Sequence, residues 1–84
     1  MEKRIGAILI LVENKDHVSR LNEIVSQHAS IIMGRQGIPL REKNVSVISL
    51  VVEGTTDEIS TLSGKLGRLQ GITSKSILTK LQNG

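Results

Sequence analysis

The sequence predicts an α+β fold in which a four-stranded antiparallel sheet carries two helices on one face. The apolar residues fall into six blocks with the periods of strand, helix, strand, strand, helix and strand. The first and third strand blocks are apolar on both sides, as central strands are, whereas the second and fourth contain the proline, glycine and lysine typical of sheet edges. This order and placement match the ferredoxin-like βαββαβ topology.

The first strand is predicted at residues 4–13, where aliphatic side chains occupy both alternating sets of positions. The first helix is predicted at residues 16–29, because apolar residues recur there at helical spacing. Asn14 or Asp16 can cap its start. These two elements make the first strand-to-helix unit of the fold.

The middle of the chain predicts two strands of different character. One starts near Ser30, but glycines and Pro39 interrupt it, which favours an edge strand, a bulge or a loop. The polar residues 41–44 form the turn that follows. Residues 45–53 are a strand that is apolar on both faces and therefore belongs in the centre of the sheet.

The second helix is predicted to begin at Thr55, because Thr55 and Glu58 have the spacing of a capping box. Gly71 is a natural stop for this helix. Residues 72–80 predict a more polar strand, and residues 81–84 a frayed tail.

The composition limits both size and function. The chain has 84 residues, enough for one core, so we expect a single domain over residues 1–84. It lacks Phe, Tyr and Trp, which excludes modules that stack nucleic-acid bases on aromatic rings. It also lacks cysteine, which excludes disulfides, zinc ribbons and thiol nucleophiles.

Charge and hydropathy bear on two questions: whether the protein binds DNA and where in the cell it is located. The net charge of +3 is small and the basic residues are scattered, so direct sequence-specific DNA binding is not expected. No apolar run has the length of a membrane span, and the start shows no signal-peptide cleavage pattern. We therefore expect a cytoplasmic protein with no membrane partner.

The sequence contains histidines, serines and carboxylates, but their spacing matches no catalytic or metal-binding motif. His17 and His28 lie at opposite ends of the first predicted helix, about 16 Å apart, too far to share a metal ion. The sequence has no nucleophile elbow and no glycine-rich phosphate loop. We expect no enzymatic activity, no cofactor and no bound metal.

The segment 34–44 is the first candidate for a ligand site. Its glycines let a backbone approach a ligand, Pro39 fixes the path of the chain, and its two arginines can hold an anion by paired hydrogen bonds. A bulged edge strand with surface arginines explains the same residues equally well. The candidate ligand-binding residues are Arg35, Gly37, Pro39, Arg41 and Asn44.

The predicted fold leaves one sheet face without a cover. Two helices cover one face, so aliphatic side chains of the central strands on the other face need a partner, most often a second copy. Small residues on the second helix indicate another close approach, although exposed glycines that are merely tolerated explain them as well. The sequence does not decide which sheet face is the interface, or between dimer and tetramer. The candidate interface residues are Ile8, Ile10, Ser63, Gly64 and Gly67.

The segments 37–44 and 62–67, with the aliphatic strand between them and Gly71 after them, resemble the small regulators assigned to the iron-only hydrogenase system. The start at residues 2–4 fits the same family, and the resemblance covers nearly the whole chain. It implies an ACT-like domain similar to the C-terminal sensing domain of the nickel-responsive repressor, a homo-oligomer, and a role in regulating hydrogenase maturation genes.

Two properties of that repressor are not implied. Its nickel site needs His and Cys on the strands, and the predicted strands here have neither. Its DNA-binding ribbon-helix-helix domain has no counterpart in this sequence. The leading hypothesis is a sensor that binds a small effector near a subunit interface.

The alternative is a structural or protein-interaction adaptor that pairs with a separate regulatory protein and has no small ligand of its own. A third hypothesis, a small hydrolase of the same fold, lacks acid–base groups to support it. An enclosed polar pocket at the two arginines would favour the sensor, whereas a plain surface there would favour the adaptor.

Overall fold

The computed structural model describes residues 2–79 and shows an antiparallel sheet in which the first and third strands are central. The strands are β1 (Arg4–Val12), β2 (Ile32–Leu40), β3 (Val45–Gly54) and β4 (Ile72–Leu78), and the helices are α1 (Val18–Gln27) and α2 (Thr56–Gly67). The strand order is β2-β3-β1-β4 with all neighbours antiparallel, which confirms the predicted ferredoxin-like topology. Residue 80 of the predicted last strand and the predicted tail 81–84 lie outside the described residues.

The predicted first helix divides into three pieces. A 3-10 turn (Lys15–His17) precedes α1, and a second 3-10 turn (Ala29–Ile31) follows it. The side chain of Asn14 accepts a hydrogen bond from the backbone N–H of Asp16 at 2.9 Å, so Asn14 caps the first turn. None of the helices within residues 2–79 is both long enough and apolar enough to cross a bilayer.

The core is aliphatic and lies between the sheet and the two helices. Leu21 and Ile24 from α1, and Leu62 from α2, are at most 2% exposed and pack onto the central strands. Burial of such a side chain contributes about 1.5–3 kcal/mol, so these contacts hold the helices on the sheet. The buried aliphatic residues of the strands are Ile8, Ile10, Val12, Ile48, Leu50, Val52 and Ile72.

The structure corrects the prediction that Ile8 and Ile10 are interface residues. Both are 0% exposed because they point toward the helices and belong to the core. Side chains alternate along a strand, and both alternating sets of β1 are apolar, so β1 alone does not reveal which set faces the helices. The second set, which includes Leu9, faces away from them.

β2 is a continuous edge strand with one irregularity. Its register against β3 shifts between Ile32 and Gly34, and beyond that bulge the pairing continues through Pro39, which lies opposite Ser46. Pro39 is tolerated because it stands on an edge strand. Asn44, with φ of 53°, then closes the turn into β3 in the left-handed conformation.

The start of α2 confirms the predicted capping box. The backbone N–H of Glu58 donates to Thr55 Oγ1 at 3.2 Å, and the backbone N–H of Thr55 donates to Glu58 Oε1 at 2.8 Å. These bonds satisfy two backbone donors at the helix start.

The end of α2 differs from the prediction. The helix ends at Gly67 rather than at Gly71, and a turn leads into β4. Gly71 lies in that turn with φ of 76°, and its carbonyl accepts hydrogen bonds from the backbone N–H groups of Glu13 and Asn14 at 2.8 and 3.2 Å. A Cβ on Gly71 would lie 2.3 Å from the Cβ of Asn14, so glycine is required where this turn meets the end of β1.

Gly6 in β1 is predicted to be irreplaceable, because a Cβ there would lie 2.6 Å from the carbonyl oxygen of Ile77 in β4. Gly6→Ala should lower the free energy of unfolding by about 1–3 kcal/mol, since the backbone must shift to make room. Gly37→Ala is the matched control, because a Cβ at Gly37 meets nothing within 4 Å. Urea unfolding compares the two, and equal losses would contradict this account.

The capping box predicts a pH dependence of stability. The hydrogen bond from the backbone N–H of Thr55 lowers the pKa of Glu58 from its ordinary value of 4.5, with smaller contributions from the Thr55 side chain and the charge of Lys3. A lowered folded-state pKa stabilises the fold above the unfolded-state pKa, and this contribution is lost as pH falls through the folded-state pKa.

Glu58→Gln should therefore be less stable than the wild type at neutral pH, and the difference should shrink below pH 4.5. Urea unfolding across the acid range measures it. Asp57→Asn, one residue earlier in the same helical turn, controls for a general charge effect at the helix start. A pH profile for Asp57→Asn that matches that of Glu58→Gln would refute the capping explanation.

Candidate functional site

The sheet face turned away from the helices is apolar and uncovered within the described residues. Four of its aliphatic side chains are strongly exposed: Leu9 at 50%, Ile38 at 48%, Val51 at 43% and Ile77 at 70%. We call this surface the open face. Its residues are Ile5, Ala7, Leu9 and Leu11 of β1, Val45, Val47, Ser49, Val51 and Glu53 of β3, Gly34, Gln36, Ile38 and Leu40 of β2, and Thr73, Lys75 and Ile77 of β4.

The strand register arranges the open face in rows that cross the sheet. Reading from β4 through β1 and β3 to β2, the rows are Ile77, Ala7, Val51 and Gly34, then Lys75, Leu9, Ser49 and Gln36, then Thr73, Leu11, Val47 and Ile38. Lys75 carries the only charge in these rows, and it lies at the β4 edge. Apart from Ser49, the positions of the two central strands in these rows are aliphatic, and such a patch is the kind of surface that marks an interaction site.

A small cavity lies where the turn between β2 and β3 meets the 3-10 turn after β1. We call it the hairpin pocket, and its volume is about 140 Å³. It is lined by Lys15, Pro39, Leu40, Arg41, Asn44, Val45 and Ser46. Leu40 and Val45 also belong to the open face, so the pocket borders that face.

The hairpin pocket is positively charged. The ion pair found within residues 2–79 joins Arg20 to Glu23 on α1, and neither of these residues lines the pocket. Lys15 and Arg41 thus have no carboxylate partner in the described part of the chain, and both are exposed. Two unpaired cations beside an apolar wall can bind a small anion. Residues 39–43 of the same turn also line a second depression, of about 430 Å³.

The structure brings together only some of the predicted ligand residues. Pro39, Arg41 and Asn44 line the hairpin pocket, whereas Arg35 and Gly37 do not. Arg35 lies on the helix side of β2, where its Nη2 donates to Asn22 Oδ1 of α1 at 3.0 Å. Arg41 follows Arg35 by six residues of nearly continuous strand, so their Cα atoms lie about 20 Å apart. The two arginines therefore cannot bind the same small anion.

Sequence reasoning missed Lys15 as a member of this pocket. Val12 at the end of β1 pairs with Ser46 at the start of β3, and this pairing places the turn after β1 beside the hairpin. The strand order supplied a usable signal, because the end of one central strand must lie beside the start of its antiparallel neighbour.

The small residues of α2 divide into two groups. Ser63 is half-buried, and its Oγ lies 3.2 Å from the Oγ of Ser74, so it joins α2 to β4. Gly64 and Gly67 are exposed, and a Cβ on either would meet nothing within 4 Å. The chain itself therefore gives no reason for these glycines, and their role at an interface stays a prediction.

His28 lies at the end of α1 and contacts the backbone of its own helix. His28 is half-buried, and its Nδ1 lies 2.9 Å from the carbonyl oxygen of Ile24, a contact that closes the last helical turn. His28 also lines a cavity of about 260 Å³ between the end of α1 and the start of α2. Within residues 2–79 no group of three or more His, Cys, Asp or Glu side chains is placed to hold a metal ion.

Comparison with known proteins assigns the family. Residues 4–76 match the family model described as "TM1266-like: Iron-only hydrogenase system regulator, putative". The chain belongs to this family. The solved structure of the uncharacterized protein TM1266 from Thermotoga maritima is 38% identical, covers 94% of this chain and 100% of its own, and superposes with a TM-score of 0.87. No curated protein matches the chain.

More distant structures show the fold of this TM1266-like chain. The ACT domain of the GTP pyrophosphokinase from Chlorobium tepidum is 20% identical, covers 90% of this chain and 100% of its own, and has a TM-score of 0.75. The C-terminal domain of the MgtC protein from Mycobacterium tuberculosis is 11% identical, covers 90% and 87%, and has a TM-score of 0.71. The ACT-like fold and the family are thus both confirmed.

Proposed function

We propose that this regulator is a cytoplasmic sensor module that assembles through its open face and binds a small anionic effector in the hairpin pocket. The family supplies the regulatory role in the iron-only hydrogenase system. The observation that carries the proposal is the open face, where exposed aliphatic side chains come from all four strands.

The dimensions of the open face support a second copy as its partner. Four strands about 4.8 Å apart and seven to ten residues long give an outline of roughly 19 by 30 Å. That area, roughened by side chains, approaches the about 800 Å² per partner that stable complexes bury. A second copy presents an equally large apolar face, and the symmetric pairing of identical surfaces is the commonest form of assembly.

The chemistry of the hairpin pocket supports an anionic effector. Lys15 and Arg41 supply positive charge, and Pro39, Leu40 and Val45 supply an apolar wall. The pocket borders the open face, so an effector bound there contacts residues that lie at the proposed interface. An effector that binds the assembled state more tightly shifts the population toward assembly, and assembly in turn strengthens effector binding.

The size of the pocket favours the alternative to a sensor. Its volume of about 140 Å³ is below the roughly 300–1,000 Å³ of typical small-molecule sites. An adaptor that binds a separate regulatory protein needs no such site. The sensor proposal meets this observation if a second copy, docked on the open face, supplies the missing wall of the pocket.

Replacing Leu9 at the centre of the open face should abolish assembly. Light scattering at micromolar concentration should give a multiple of the chain mass for the wild type and the single chain mass for Leu9→Lys, because the lysine buries a charge in the interface. Ser19→Lys, on the exposed side of α1, adds the same charge elsewhere and should leave assembly unchanged. A monomeric wild type, or an unchanged Leu9→Lys oligomer, would contradict the proposed interface.

Arg41→Ala should remove the effector without affecting the fold. Native mass spectrometry of wild-type protein purified from its own host should show a retained small anion, and Arg41→Ala should lack it. Its unfolding free energy should change by less than about 0.5 kcal/mol, because an exposed arginine contributes little to stability. Arg68→Ala, exposed at the end of α2, is the control for general loss of charge.

Two results would count against the effector site. Retention of the same anion by Arg41→Ala would place the site elsewhere. A wild-type oligomer that carries no small molecule would favour the adaptor.

A further inference from the structure

We propose that two copies of this chain stack open face against open face about a two-fold axis parallel to the strands, so that β4 of one copy lies over β2 of the other. The inference rests on the proposed assembly through the open face and specifies its geometry. It follows from the distribution of large, small and charged side chains in the rows of the open face.

A two-fold axis parallel to the strands keeps each row at its own height and reverses its order in the opposing copy. In the first row this places Ile77 of β4 over Gly34 of β2. Ile77 is 70% exposed, the highest value among the exposed large apolar side chains. Gly34 has open space where a Cβ would lie, so it offers a recess for Ile77 at the opposite edge.

The middle row is complementary under the same axis. In the middle row Leu9 lies over Ser49, again a large side chain over a small one, and Lys75 lies over Gln36. The amide oxygen of Gln36 can accept a hydrogen bond from the ammonium of Lys75. Large-over-small pairing gives the interdigitation that two packed sheets need.

A two-fold axis perpendicular to the strands gives a worse fit. An axis perpendicular to the strands, through the middle row, places each strand over its own copy and brings Lys75 over Lys75. It also places Leu9 over Leu9 and Ser49 over Ser49, which opposes large to large and small to small. Like charges brought together at an interface are unfavourable, so this arrangement is rejected.

The twist of the sheets does not change which strands face each other under the proposed axis. Packed sheets cross at about 30° and lie about 10 Å apart. The central strands lie about 2.4 Å from the axis, so this angle displaces their opposed residues by only about 1.4 Å, and each row there still faces its own row in the second copy. The edge strands lie about 7 Å from the axis and are displaced by about 4 Å, so β4 still lies over β2, and residues 75 and 36 stay within reach of a short crosslinker.

Single-cysteine crosslinking tests the geometry, and the chain supplies a clean background because it contains no cysteine. The variants are Gln36→Cys and Lys75→Cys, both at exposed positions, one of them with a size tag. Each is treated with a short bis-maleimide alone, and then after the two are unfolded and refolded together so that mixed dimers form. Light scattering checks that each variant assembles as the wild type does.

The proposed axis predicts a crosslinked dimer only in the mixed sample, containing one tagged and one untagged chain. Efficient crosslinking of Lys75→Cys alone would overturn the inference in favour of the perpendicular axis. Assembly without any crosslink in the mixed sample would overturn it as well and place the interface elsewhere. A monomeric wild type in light scattering would instead refute the proposed assembly itself.

Discussion

Two helices can cover only one face of a four-stranded sheet, and this constraint organises the molecule. On the covered side, Ile8 of β1 and Leu50 of β3 pack beneath α1 and α2 with no exposed surface. The constraint leaves the open face with Leu9, Val51 and Ile77 turned to solvent. The same strands that build the core therefore create the surface through which the protein is proposed to act.

Much of the fold could be predicted because local signals and global topology agree. The capping box at Thr55 and Glu58 and the edge character of the strand with Pro39 both follow from residue chemistry, and the structure contains both. The orientation of β1 could not be predicted from β1 itself, because both of its alternating sets are apolar. β3 held the missing signal: Ser49 and Glu53 share one set, and Ile48, Leu50 and Val52 the other.

The candidate site was harder to predict than the fold because it depends on tertiary neighbours. Arg35 and Arg41 have the same chemistry in the sequence, yet Arg35 bonds to Asn22 on α1 whereas Arg41 lies at the hairpin. Lys15 joins Arg41 only because β1 and β3 pair in the observed register. Hairpin chemistry alone selected Pro39, Arg41 and Asn44, which line the pocket, but also Arg35 and Gly37, which do not.

The hairpin pocket and the open face share residues. Leu40 and Val45 belong to both, so whatever binds the hairpin pocket contacts the proposed assembly surface. A regulator of this size has little interior in which to store a conformational change, and a shift in assembly needs none. Assembly through the open face is therefore the step on which the proposed regulation depends.

The most direct test is the thermal midpoint of unfolding as a function of protein concentration. If folded chains associate through the open face, association stabilises the folded state by mass action, and the midpoint should rise steadily with concentration. A midpoint that stays constant across the micromolar range, for a protein that unfolds reversibly, would show that the folded chain is a monomer and would contradict the account.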